Sequence, residues 1–525
     1  MNDRNAKPSA IAEGPHRIHS WKDAGITPKN KEVKRDFGVY GDIAVVALVL
    51  IGLLLIYVSY YWSFLGLGYQ WALAILSLIS IGMAITWIKS LNGAFGMFLI
   101  SGKRGISFIE KLSKKNTNFW NAMAVWGIVL GFGLLAYPLL RGRIDKRIFV
   151  FGLLTIFVLV AIMLPYMYYA LQFINLPQLQ ALLGAGQPST GIALTPYAIF
   201  LYGLSLVAGF SGYIFFALLL NSWFILVGLE KFALSIIVGA PNISTVSSQI
   251  PGVAPILPGL DIPFIPGIIA LAVLLVVHEF SHGVLARIYN IKIKSIGLMI
   301  FGVIPMGAFV EPDEEKIKKL DSLKQSNIFS AGISANFIFT FIFFVPFFLA
   351  IIYLAPLIAY QPYVFLATTN ATYPAALAGI QNGTQLLFWN GYNVSNFSGF
   401  ERFAANTEKP NSIVKLVTSS GNFTMKAVQD PENESRGLIG VSVSAVQKLA
   451  PGWMNQLGYN VYATLGFLFM LNFLVAIVNF LPIPGFDGWR IYKANIKNEN
   501  LIKALAIIIV AGLLLNVIPL LAHYL

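Results

Sequence analysis

His278 and His282 stand four residues apart in Val276-Val277-His278-Glu279-Phe280-Ser281-His282-Gly283. On a helix that spacing brings both imidazoles to one face, and two imidazoles so placed suit two ligands of a zinc ion. Glu279 follows the first histidine, off the shared face, and is placed to take a proton from the attacking water. These three ionisable residues interrupt an apolar run, 265–289, where each costs at least a few kcal/mol. The bland alternative is a histidine pair hydrogen-bonded inside a helical bundle. About 14 apolar residues precede His278, roughly 21 Å of helix, and 13 separate it from Lys292, roughly 20 Å. The site is therefore expected within a membrane.

A hydrolytic zinc takes a third protein ligand and keeps one position open. The chain has no cysteine, which excludes disulfides, iron–sulfur clusters and thiol nucleophiles, and its histidines are His16, His19, His278, His282 and His523. The third ligand is therefore expected to be a carboxylate, with Asp42, Glu230, Asp261, Glu311 and Asp487 as candidates. Asp487 has a distinctive setting, Asn479-Phe480-Leu481-Pro482-Ile483-Pro484-Gly485-Phe486-Asp487-Gly488, just after an apolar run. Its prolines break a helix, and broken backbone at membrane depth is tolerated where it lines a cavity. The same setting also suits a solvated carboxylate capping a helix at a membrane end.

The elements that must position these residues follow from composition. Of 525 residues 57% are hydrophobic and 11% charged, against about 25% charged in an ordinary soluble domain; mean hydropathy is +0.72. So few charges cannot cover a soluble surface, and a multi-pass α-helical membrane protein is expected, seated in the cell membrane. The net charge of +13 fits basic loops on one side of a bilayer better than nucleic-acid binding. Spans are expected near 43–62, 71–88, 119–140, 148–174, 197–220, 265–289, 327–356, 458–481 and 501–521. A tenth is a candidate at 222–240, where Glu230 and Lys231 interrupt the run. Residues 1–40 read as a polar cytoplasmic tail without the apolar core of a cleaved signal peptide, 41–240 as additional N-terminal helices, 260–360 as the core carrying the histidines, and 456–525 as C-terminal core helices. Between the last two, 362–450 alternates short apolar runs with turns such as Asn390-Gly391 and Ser420-Gly421, the pattern of a small β-rich domain.

Orientation follows from charge. Arg287, Lys292, Lys294, Lys316, Lys318, Lys319 and Lys324 cluster in one loop, and Lys493, Lys497 and Lys503 in another, which places both in the cytoplasm and 362–450 outside. Asn-x-Ser/Thr sequons at Asn242, Asn370, Asn382, Asn393, Asn396, Asn422 and Asn433 all fall in segments this rule places outside. The rule fails to orient 119–140, whose two flanks, with Lys103 to Lys115 and Arg141 to Arg147, are both basic.

Taken together, the histidine motif in one span and Asn479-x-x-Pro482-x-x-x-x-Asp487-Gly488 near a later one resemble the site-2 protease family of zinc intramembrane metalloproteases. Phe301–Val310 resembles that family's membrane-dipping β-hairpin, and Gly332-x-x-x-Asn336 its motif in the next span. Tyr373–Gly383 with Trp389-Asn390-Gly391 resembles the opening of a PDZ domain, although Thr384 stands where an Asp is common. The resemblance covers roughly 250–525. It does not extend to 1–195, whose spans exceed the family's minimal six-span core. It implies Zn2+ held by His278, His282 and Asp487, Glu279 as general base, and cleavage within transmembrane segments of other proteins. An unwound substrate would be held by the edge of the 301–310 hairpin, with Asn336, Asn479, Pro482, Pro484 and Gly485 as further candidate contacts. The implied partners are transmembrane proteins and the lipid bilayer, not nucleic acid. Two other classes compete: a metal-ion transporter, which leaves Glu279 and the PDZ-like domain unexplained, and a catalytically inactive binding homologue, which the complete residue set disfavours.

Overall fold

The computed structural model describes residues 38–61, 67–91, 93–103, 105–174, 195–252, 258, 262–368, 372–394, 408–431 and 433–523. Residues 1–37, Asp261 and the sequons at Asn370 and Asn396 lie outside the described residues. In chain order come α1 (Gly38–Tyr61), α2 (Leu67–Lys89), β1 (Gly93–Ala94), β2 (Met97–Gly102), α3 (Ile106–Ser113), α4 (Thr117–Phe132), α5 (Lys146–Val158), α6 (Pro196–Ile237), α7 (Phe264–Ile288), β3 (Ile293–Phe301), β4 (Ile304–Pro312) and α8 (Ser322–Tyr353). After a run of strands follow α9 (Trp453–Val478), α10 (Asp487–Asn495) and α11 (Glu499–His523). Two compact units result, one of residues 1–347 and 463–525, the other of 348–462.

Among the described residues eight helices are long and apolar enough to cross a membrane, and Val39–Leu55 is a shorter apolar helix. Sequence periodicity cannot orient such helices, because they are apolar all round. The candidate tenth span is corrected: 222–240 is not a separate helix but the continuation of α6, bent at Gly209, whose φ of 63° only glycine adopts without strain. There the chain passes so close to Gly131 that a Cβ on Gly209 would lie 2.3 Å from the Gly131 carbonyl oxygen.

The N-terminal helices belong to the same unit as the histidine motif. Gly127 of α4 leaves room for Ser334 of α8, and Ser330 donates to the Ala124 carbonyl at 2.9 Å. Small residues of this kind let membrane helices approach closely. Trp126 packs edge-on against Phe337. Past α4 the helix breaks at Gly133 (φ 56°). The Tyr289 hydroxyl donates to Asn121 of α4, and beyond the break Arg143 donates to Ser322 at 2.8 Å.

The four strands of this unit form one antiparallel sheet in the order β1-β2-β3-β4. The hairpin expected at 301–310 is longer, running from Ile293 to Pro312 with its turn at Gly302, φ 61°. The N-terminal part of the chain covers the outer edge of β3, since β2 pairs with it from Met97↔Phe301 to Gly102↔Ile296. This leaves β4 as a sheet edge.

The second unit holds β5 (Tyr360–Thr368), β6 (Thr384–Trp389), β7 (Tyr392–Asn393), β8 (Ile413–Thr418), β9 (Gly421–Lys426), β10 (Val428–Gln429), β11 (Gly437–Leu438) and β12 (Val441–Leu449). Its main sheet runs β12-β5-β6-β8-β9 with β7 on β6, closed over a core that includes Val364, Leu366, Leu386, Val414 and Leu416. Asn390 and Gly391, both at positive φ (47° and 85°), make the β6–β7 turn, the conformation a two-residue hairpin of Asn-Gly prefers.

Candidate metal centre

Helix α7 carries His278 and His282 one turn apart, and its neighbour α8 supplies the wall behind them. Gly332 is the point of closest approach: a Cβ there would sit 2.4 Å from His282 Nε2 and 2.7 Å from His278 Nε2. The third side chain arrives from 205 residues beyond His282. After α9 the two prolines cannot donate to a helix, and the chain turns through Gly485 (φ 103°). The Gly488 N–H then returns to the Asn479 carbonyl at 2.7 Å. That closure requires glycine at 488, where a Cβ would lie 2.4 Å from the Phe480 carbonyl oxygen. It sets Asp487 at the first residue of α10, with Oδ2 3.1 Å from both His278 Nε2 and His282 Nε2. The two Nε2 atoms are 3.2 Å apart, and the three side chains are 10%, 12% and 13% exposed.

This trio is the only group of metal-ligand type that converges among the described residues. It fits zinc in donor chemistry and in size. Ligands at about 2.0–2.1 Å around a tetrahedral ion lie about 3.3 Å from one another, close to the spacing found. Ring orientation fits as well. His282 Nδ1–H donates to the Ile328 carbonyl at 2.7 Å, leaving Nε2 bare. The Asn336 amide nitrogen is 3.1 Å from His278 Nδ1, while its buried oxygen has no partner. Turned end for end, the amide satisfies both: Oδ1 accepts from Nδ1–H, and His278 Nε2 is free to bind metal, as the outer partners of metal-bound histidines commonly arrange.

Glu279 lies beside the trio and outside it. One carboxylate oxygen accepts from the Val310 backbone N–H of β4 at 3.2 Å. The edge strand and the acidic side chain are thereby tied together.

The expected contact residues lie in different surroundings. Asn336, expected at substrate, is fully buried, with its amide against His278 Nδ1. Asn479 spends its amide on the Val475 carbonyl at 3.0 Å, and Pro482 is buried; both shape the loop. Pro484 and Gly485 are exposed at its tip. Among the other carboxylates, Asp42 pairs with Lys89, Glu311 accepts from Ser295 and faces Lys294, and Glu230 is exposed on α6. Sequence reasoning missed Gly332 as the wall of the site and Val310 as the partner of Glu279. The first was visible only as a glycine four residues before Asn336, and the second left no signal, because a backbone N–H carries no sequence identity.

Residues 266–519 match peptidase family M50. The chain is 32% identical over 234 residues to an uncharacterised protein of Methanocaldococcus jannaschii, covering 44% of this chain and 58% of that one. It is 29% identical over 204 residues to the regulator of sigma E protease of Haemophilus influenzae, covering 32% and 44%. The chain thus spans about half the length of these relatives.

Proposed function

We propose that this chain, whose residues 266–519 belong to the site-2 protease family, peptidase family M50, is a zinc-dependent endopeptidase that hydrolyses peptide bonds within transmembrane segments of other membrane proteins. The observation that carries this reading is the convergence of His278, His282 and Asp487 on one point, with Glu279 at its side, in an apolar helix. Zinc held there would polarise the scissile carbonyl and make water acidic enough to attack. Glu279 takes the proton of that water and returns it to the departing amine. The Val310 N–H holds one oxygen of Glu279 and leaves the other for this transfer. Asn336 and the Ile328 carbonyl hold the two imidazoles in the ligating orientation.

Substrate must be unwound, since a helix hides its carbonyls in hydrogen bonds. An extended segment can add to the edge of β4 by main-chain pairing, which sets its carbonyls beside Glu279. Pro484 and Gly485 are positioned on this reading as a second contact. The domain scheme of the sequence is retained as part of the proposal: a cytoplasmic tail, additional N-terminal helices, a core on either side of a PDZ-like extracytoplasmic domain at 362–450 that filters access, and residence in the cell membrane as part of regulated intramembrane proteolysis. No observation favours the transporter reading, which gives Glu279 no task.

The test uses the purified full chain in lipid bilayers with a reporter transmembrane helix. Wild type should cleave it within the membrane segment, chelation should stop cleavage, and zinc should restore it. Cleavage by Glu279→Gln at the wild-type rate, or wild type that cleaves without metal, overturns the proposal.

A further inference from the structure

The apolar stretch 222–240 contains two adjacent ionisable residues, Glu230 and Lys231, that the proteolytic site does not use. Packing fixes their depth. Helices α6 and α11 run parallel, with Leu218 against Gly512 and Ser222 accepting from Asn516 at 2.8 Å. Helix α6 itself ends at Ile237, and the six residues from Lys231 to that end rise about 9 Å. A spanning helix ends where the hydrocarbon layer meets the headgroups. Lys231 is exposed and makes no hydrogen bond or ion pair among the described residues. Glu230 does not answer it, because the next residue on a helix points about 100° away.

Lys231 opens instead on a cavity of 290 Å³ between α6 and the returning segment 244–249, lined also by Phe224, Val227, Thr245, Ser248 and Gln249. Gly228 allows the segment to come this close, since a Cβ there would lie 2.6 Å from the Thr245 carbonyl oxygen. No lining residue is acidic. Thr245 donates its hydroxyl to backbone carbonyls, and so does Ser248. Both oxygens are therefore left as acceptors, facing a single cation. Toward the membrane the stripe of Phe224 and Val227 continues beside Trp223, 63% exposed.

We propose that this cavity binds the headgroup of an anionic phospholipid bearing a free alcohol, of the glycerophosphate type. The phosphate meets Lys231, the headgroup alcohol donates to the Thr245 and Ser248 oxygens, and the first part of an acyl chain lies along Phe224 and Val227. An unpaired ammonium at the edge of an apolar layer gains from a phosphate partner, and the hydroxyl acceptors select a headgroup that can donate. The site is separate from the metal centre, so its failure leaves the proteolytic reading untouched.

Native mass spectrometry of the purified full chain, titrated with dioleoylphosphatidylglycerol, dioleoylphosphatidylcholine or inorganic phosphate, tests this. Wild type should retain phosphatidylglycerol over phosphatidylcholine. Lys231→Ala should weaken phosphatidylglycerol binding about fivefold to tenfold, Lys231→Arg should restore most of it, and Lys503→Ala, at the other end of α11, should change nothing. Equal phosphatidylglycerol binding by wild type and Lys231→Ala overturns the proposal. So does displacement of the lipid by millimolar inorganic phosphate, which would make the site one for the free anion.

Discussion

Replacing Gly332 by alanine separates a metal-binding role for the His278–His282–Asp487 trio from a merely structural one. By helix propensity alone Gly→Ala should stabilise α8 by about 0.5–1 kcal/mol. Here, however, the new methyl lies 2.4 Å from His282 Nε2 and 2.7 Å from His278 Nε2, where ordinary contact begins at 3.4 Å. Either the rings or α8 must yield by up to about 1 Å. Overpacking of this kind costs about 1–3 kcal/mol of stability, which the propensity gain partly offsets. A displacement of 1 Å at a reacting centre costs on the order of 100-fold in rate. The expected result is a folded protein with a thermal midpoint within several degrees of wild type, zinc content reduced to a minor fraction, and cleavage lowered by at least about 100-fold. Elemental analysis, a reporter-helix cleavage assay and circular dichroism on the same preparation measure the three quantities. Gly203→Ala is the control, since a methyl there meets nothing within 4 Å, and it should match wild type. Full zinc and normal turnover in Gly332→Ala would refute the argument that the trio holds the catalytic metal.

The remaining expectations use the same assays. Glu279→Gln keeps the shape of the side chain but not its basicity, so zinc should remain while cleavage falls about 10²–10⁴-fold; Asp487→Ala should lose zinc and cleavage together, because two imidazoles hold the ion more weakly than three ligands. Asn336→Ala removes the partner of His278 Nδ1 and should lower zinc affinity about 10–100-fold in chelator competition, with Asn336→Asp, which keeps an acceptor, closer to wild type; equal affinities in all three would leave Asn336 with no part in orienting the ring. Protease added to intact cells should clip within 362–450 and spare Lys316–Lys324, and the reverse pattern would invert the orientation.

Local regularities carried much of this protein in its sequence. The i, i+4 spacing of His278 and His282 is a property of the helix itself, so the paired imidazoles were legible without a fold. Long apolar runs announce helices in the same way, and Asn390-Gly391 announces its turn through the φ values it must adopt. What tertiary structure decided was which face met which. Asp487 was one of five candidate carboxylates that the sequence left open; only the loop closed by Gly488 on Asn479 brings it to the histidines. Asn336 sits in the same motif as Gly332, and packing alone decided that it lies buried against His278. The continuation of α6 through 222–240, and the covering of β3 by β2, have no local signature. Helices apolar on every side leave periodicity nothing to report. Their contacts are settled by where small residues such as Gly127, Gly209 and Gly332 allow two backbones to meet, a sum of close contacts that exists only once both partners are in place.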